Sequence, residues 1–115
     1  MPRFAILAHD HPAPHWDLFL EAGPVLRSWR LAAPLVSGVP VAAEPTPDHR
    51  PAYLDYEGPV SGGRGTVTRV DAGIFSYQLD KPDRVRIQLT GKRFVGRLII
   101  ERTDGGWACV FHPAD

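Results

Sequence analysis

Histidine and carboxylate side chains crowd the first half of this 115-residue chain in a pattern that suits either proton transfer or metal binding. Four of the five histidines precede residue 50, each with an acidic neighbour: His9-Asp10-His11, His15-x-Asp17 and Asp48-His49. On a strand, His15 and Asp17 project from one face, because side chains alternate with a period of two. His9 closes the apolar run before them and comes level with the pair if the two runs lie side by side. Two imidazoles and one carboxylate leave coordination positions for water or substrate, as a catalytic metal needs and a closed structural site does not. Such a donor set suits Mn²⁺, Fe²⁺ or Zn²⁺. Spacing alone leaves a second reading open, in which these are surface His and Asp residues at turns. His49 reads as a loop histidine, or as a general acid or phosphate donor. Tyr53 and Tyr56 read first as packing groups. His11, between prolines, is a poorer ligand than His9 or His15, and His112 has no partner in sequence.

Strands are the elements that must hold these groups, because 12 Pro and 11 Gly leave little room for long helices. Runs at Arg3 to Ala8 and His15 to Glu21 flank the turn His11-Pro12-Ala13-Pro14. The second run alternates, with Trp16, Leu18 and Leu20 on one face and His15, Asp17, Phe19 and Glu21 on the other. A third strand, Val25 to Leu31, follows the turn at Ala22-Gly23-Pro24. Residues 32–52 hold five prolines and are expected to form a loop or rim, with Val39 to Ala43 as a brief edge strand. The later strands are expected at Thr66 to Val70, Gly73 to Leu79, Arg84 to Thr90, Lys92 to Arg102 and Trp107 to Phe111. The fold class is all-β, with residues 1–115 as a single domain.

Composition excludes several functions. Thirteen basic and thirteen acidic residues cancel, so no global field draws the chain onto nucleic acid, although residues 62–115 carry nine basic and six acidic groups. Apolar stretches stop well short of the roughly 20 residues a membrane-spanning helix needs, and no signal-peptide layout opens the chain; a soluble, cytoplasmic protein is expected. Cys109 is the only cysteine and reads as a buried, inert thiol between Trp107 and Phe111. Ser61-Gly62-Gly63-Arg64-Gly65-Thr66 matches neither nucleotide-binding glycine pattern, and no Gly-x-Ser-x-Gly elbow occurs.

Three ordered motifs carry more information than His-x-Asp alone. They are His9-Asp10-x-x-x-x-His15-Trp16-Asp17-x-x-Leu20-Glu21, then Leu26-x-Ser28-Trp29, then Asp48-His49-x-x-x-Tyr53-x-Asp55-Tyr56-Glu57-Gly58. Together they resemble the 3′-phosphoesterase domain of bacterial DNA ligase D, in order over residues 3–111. The resemblance implies a small single-domain β-barrel that uses a divalent metal, Mn²⁺ first, with Zn²⁺ or another transition metal as alternatives. It implies removal of 3′-terminal ribonucleotides and 3′-phosphates from nucleic-acid ends, or action on another phosphoester. A DNA ligase or polymerase would work in trans, and the domain is expected to be a monomer without a membrane partner. By this resemblance His9, His15 and Asp17 hold the metal, and His49 and Tyr53 act at the scissile phosphate. Asp10 and Glu21 support the site, Asp10 as a hydrogen-bond acceptor orienting His9.

The chain also departs from the family pattern. Phe19 and Val41 stand where the family expects basic residues, and the region of Ala33 lacks an expected lysine. Phosphoryl transfer relies on fixed positive charge, and losing one donor of that kind costs on the order of 2.7 to 4 kcal/mol of transition-state stabilisation. Arg30, Arg50 and Arg64 lie in or beside the motifs and are the candidate replacements. Phe19 reads either as a ring for stacking on a base or sugar or as barrel core. Three functions are weighed. One is a metal-dependent phosphoesterase; the second is a weakened or inactive relative that binds nucleic-acid ends, a protein or a metal; the third is a small β-barrel of unrelated function whose histidines lie on the surface and bind no metal.

Overall fold

The computed structural model describes residues 1–115 as nine strands in chain order. They are β1 (Arg3–His9), β2 (His15–Ala22), β3 (Val25–Leu31), β4 (Val41–His49), β5 (Gly58–Pro59), β6 (Thr66–Lys81), β7 (Arg84–Gly91), β8 (Val95–Thr103) and β9 (Gly106–Pro113). A short 3₁₀ turn, Pro51–Leu54, is the only helical element. Neighbours run β1-β2-β3-β4-β9-β8-β7-β6, all antiparallel, and β6 returns to β1. The result is a closed eight-stranded β-barrel, as expected, with the two residues of β5 added beside β6.

Alternation along β1 and β2 builds two cores instead of one. Phe4, Ile6, Leu18 and Leu20 face the barrel interior, where they meet Trp29, Leu31, Ile87 and Leu98. Ala5, Leu7 and Phe19 point the opposite way and form a smaller cluster with Leu26, Val67 and Leu54. Leu54 belongs to the 3₁₀ turn, so that turn lies over the outer wall of β1 and β2. An ion pair between Arg3 and Asp55 ties the turn to the start of β1, and the hydrogen bond from Arg3 holds the Asp55 carboxyl below its ordinary range. Both faces of this hairpin are therefore packed, which makes it a rigid support for anything standing at its open end.

The structure corrects three expectations about the strands. Residues 41–49 form β4 despite Pro45 and Pro47. The prolines are tolerated because β4 pairs with β9 only over Val41 to Ala43 and has β3 alone as its partner thereafter, so the missing N–H groups fall on a free edge. Thr66 to Val70 and Gly73 to Leu79 are one strand of 16 residues, whose first half pairs with β1 and whose second half pairs with β7. Gly73 permits that exchange of partners: a Cβ there would lie 2.1 Å from the Thr90 carbonyl oxygen. Strand β8 starts at Val95 instead of Lys92, because Lys92, Arg93 and Phe94 form a turn whose N–H groups all bond to Asp71.

Cys109 lies in the barrel interior with no exposed surface, and burial pushes its thiol up to about 12. The native protein should therefore resist iodoacetamide at pH 8, with labelling following global unfolding; rapid labelling of folded protein would contradict this packing.

Candidate metal centre

Strand register brings the three candidate ligands together. In the β1–β2 hairpin His9 lies opposite His15 and Leu7 opposite Asp17, all on the outward face that also carries Phe19. The potential ligand atoms of His9, His15 and Asp17 all lie within 4.8 Å of one another. Asp17 Oδ2 is 3.3 Å from His15 Nε2 and 3.7 Å from His9 Nδ1.

Each imidazole has its other nitrogen committed to a main-chain carbonyl. His9 Nε2–H donates to Arg64 O at 2.7 Å, and His15 Nδ1–H donates to Ala13 O at 3.0 Å. A carbonyl only accepts, so in the neutral rings these bonds select the tautomers in which His9 Nδ1 and His15 Nε2 carry the lone pairs, and both atoms face the carboxylate. His15 Nε2 is buried and has no hydrogen-bond partner. A buried polar atom without a partner is costly, and a cation between the two rings and the carboxylate would satisfy it. The donor set thus fits a divalent transition metal.

A cavity of about 240 Å³ opens over this cluster. His49 and Tyr53 line it, as do Arg30 and Arg64. His49 rests against Phe19 with ring centroids 4.9 Å apart, and Tyr53 stands 5.7 Å from His49. His49 Nδ1–H donates to Pro47 O at 2.8 Å, leaving Nε2 as the nitrogen free to exchange a proton. Arg30 is opposite Asp17 across the β2–β3 pair, an arrangement set by the tight turn at Gly23-Pro24. The Arg64 side chain bonds back to Ser61, through Nε to the carbonyl at 2.7 Å and through Nη2 to the hydroxyl at 3.1 Å.

A family model described as the DNA ligase D 3′-phosphoesterase domain matches residues 7–108. The chain belongs to that family. It is 32% identical over 111 residues to the multifunctional non-homologous end joining DNA repair protein LigD of Mycobacterium tuberculosis, a match that covers 89% of this chain. Its identity to the corresponding LigD protein of Mycobacterium bovis is also 32% over the same length. The chain spans about 15% of the length of these relatives.

Seen as a DNA ligase D phosphoesterase domain, the departures from the family pattern have definite places. Phe19 is buried in the outer cluster, so it serves neither as an exposed stacking ring nor as part of the barrel interior; it is the floor beneath His49 and Tyr53. Val41 points into the barrel interior and Ala33 packs against the same core. Arg30 and Arg64 are the two arginines that line the cavity, Arg64 bringing its main-chain carbonyl to His9 while its guanidinium bonds back to Ser61. Arg50 lines a neighbouring cleft beyond Tyr53 and does not reach the His9–His15–Asp17 cavity.

Two supporting residues also differ from expectation. Asp10 does not orient His9, a task performed by the Arg64 carbonyl; its carboxylate accepts the Thr66 N–H at 2.7 Å and pins the start of β6 beside the end of β1. Gly65 allows this approach, since a Cβ there would lie 2.2 Å from Asp10 Oδ1. Glu21 is at the far end of β2, where it accepts the Arg3 N–H at 3.0 Å. Sequence reasoning missed the carbonyls of Ala13, Pro47 and Arg64, because main-chain groups leave no trace in residue type. Arg30 was legible as a candidate from its place beside Ser28-Trp29, and the register that pairs Ala22 with Val25 across the turn sets it opposite Asp17.

Proposed function

We propose that this chain is a divalent-metal-dependent phosphoesterase, with Mn²⁺ as the preferred ion, acting on nucleic-acid 3′ ends that carry a ribonucleotide or a phosphate. The observation that carries the reading is the buried, unpartnered Nε2 of His15 facing Asp17 beside an arginine-lined cavity. His9 Nδ1, His15 Nε2 and an Asp17 oxygen would hold the ion. Bound there, it would supply Lewis-acid stabilisation of charge on the phosphate and activation of a water or hydroxyl nucleophile.

The chain's own residues supply the rest. Arg30 and Arg64 offer fixed positive charge for the non-bridging oxygens, the role left vacant at Phe19 and Val41. His49, held by Pro47 O, moves a proton through Nε2 to the phosphate or leaving group, and Tyr53 adds a hydroxyl donor beside it. Phe19 keeps water from beneath both rings and fixes their tilt. The names of the LigD relatives speak for a setting in non-homologous end joining and DNA repair, and a DNA ligase or polymerase in trans is the partner this reading expects.

The test is hydrolysis of a primer-template ending in one ribonucleotide or a 3′-phosphate, with and without Mn²⁺, and with bound metal quantified on the same samples. Wild type should turn over only with metal. His49→Gln should lose on the order of 10²-fold or more while its metal content stays unchanged. Bound metal without turnover in wild type would favour the non-catalytic binding module instead.

A further inference from the structure

A second cleft, of about 360 Å³, adjoins the metal cavity and shares Pro12, His15 and Arg30 with it. Its volume lies within the range of small-molecule sites, roughly 300 to 1,000 Å³. The remaining walls come from the His11–Pro14 turn and from the open end of β3 and β4, including Ala32, Ala42 and Glu44. Proline rings and alanine methyls make flat, apolar walls that leave room for a planar ring, while the polar side chains other than His15 are Arg30 and Glu44. Arg30 stands between the two spaces. Its Nε is buried without a partner, and its Nη1 lies 3.9 Å from Glu44 Oε1, beyond hydrogen-bond length.

We infer that this cleft receives the base of the nucleotide whose phosphate lies in the metal cavity, and that Glu44 favours a base with an exocyclic amino group. The inference rests on the phosphoesterase reading and deepens it. Because Arg30 lines both spaces, a phosphate paired with it in the metal cavity has this cleft beside it to receive the attached nucleoside. The apolar walls accept a base face, whereas inorganic phosphate gains nothing from them. A carboxylate accepts the amino N–H groups of cytosine and repels the carbonyl oxygen that uracil carries at the same ring position. Cytidine and uridine are closely matched in shape and differ in the polar edge they present, so their comparison with and without the Glu44 carboxylate isolates its contribution.

Titration calorimetry on Mn²⁺-loaded His49→Gln protein tests this, since the glutamine retains a donor and the slow turnover leaves ligands intact. The probes are inorganic phosphate, cytidine 3′-monophosphate and uridine 3′-monophosphate. Cytidine 3′-monophosphate should bind about tenfold more tightly than phosphate and about threefold more tightly than the uridine compound. Adding Ala42→Trp, an exposed position on β4, should fill the cleft and bring both nucleotides to the affinity of phosphate while leaving phosphate binding unchanged. Adding Glu44→Gln should erase only the cytidine preference. Equal binding of phosphate and both nucleotides, or nucleotide binding indifferent to Ala42→Trp, would overturn the base cleft and leave the phosphoesterase reading intact. Failure of all three probes to bind the metal-loaded protein would overturn both.

Discussion

Asp17→Asn should abolish stoichiometric metal binding and lower Mn²⁺-dependent turnover by on the order of 10²- to 10³-fold, with the barrel still folded. Asparagine keeps the volume and removes the only carboxylate that faces both His9 Nδ1 and His15 Nε2. The charge matters more than the shape here, because the two neutral rings offer lone pairs but no compensation for a dication. Unlike an alanine at His15, the change also leaves the bond from His15 Nδ1 to Ala13 O in place. His15→Ala is expected to lose metal as well, and agreement between the two variants separates coordination from packing. Metal content by mass spectrometry and thermal melts with and without Mn²⁺ give the readout. Ligand at 100 times its Kd stabilises a fold by about 2.7 kcal/mol, so wild type should show a clear rise in Tm and Asp17→Asn none. Full metal occupancy in Asp17→Asn would sink the assignment of the centre.

The opposite pattern is expected of Asp71→Ala, which should cost about 3 kcal/mol or more of stability in urea denaturation while folded protein keeps its metal content. Asp71 is 4% exposed and its carboxylate accepts the N–H groups of Lys92, Arg93 and Phe94 at 3.0, 3.2 and 2.8 Å. Truncation removes three charge-assisted hydrogen bonds at once and leaves the turn before β8 without its anchor. Gly91 belongs to the same arrangement, because a Cβ there would lie 2.1 Å from Asp71 Oδ2 and 2.8 Å from Phe4 Cζ. An unchanged urea midpoint in Asp71→Ala would show that the turn holds itself.

The contrast between these two aspartates shows what the chain discloses before folding. Asp17 was legible because it alternates with apolar residues and sits two places from a histidine, so a period of two was enough to align the candidate ligands. Asp71 was opaque: it lies in mid-strand and its partners are main-chain N–H groups 21 to 23 residues away. Prolines misled in β4 for a similar reason, since whether a missing N–H matters depends on which side of the strand has a partner. Gly73 suggested a break and instead marks the place where β6 exchanges one neighbour for another. The second core was hidden as well. Phe19 shares a face with His15 and Asp17, and only the 3₁₀ turn lying over that face tells that it is covered.

His9, His15 and Asp17 fall within nine consecutive residues on a single hairpin, whereas barrel closure joins Arg3 to Ile74. A loop this short closes at small entropic cost, and hairpins form within about 1 to 10 μs, well before distant strands meet. The candidate trio is therefore among the most local parts of a topology dominated by distant pairings, and local contacts are those available early. The Arg64 carbonyl that fixes the His9 tautomer arrives only when β6 docks on β1. An ion captured by the hairpin would thus be present during barrel assembly, acting on the rate of folding as well as on the finished site.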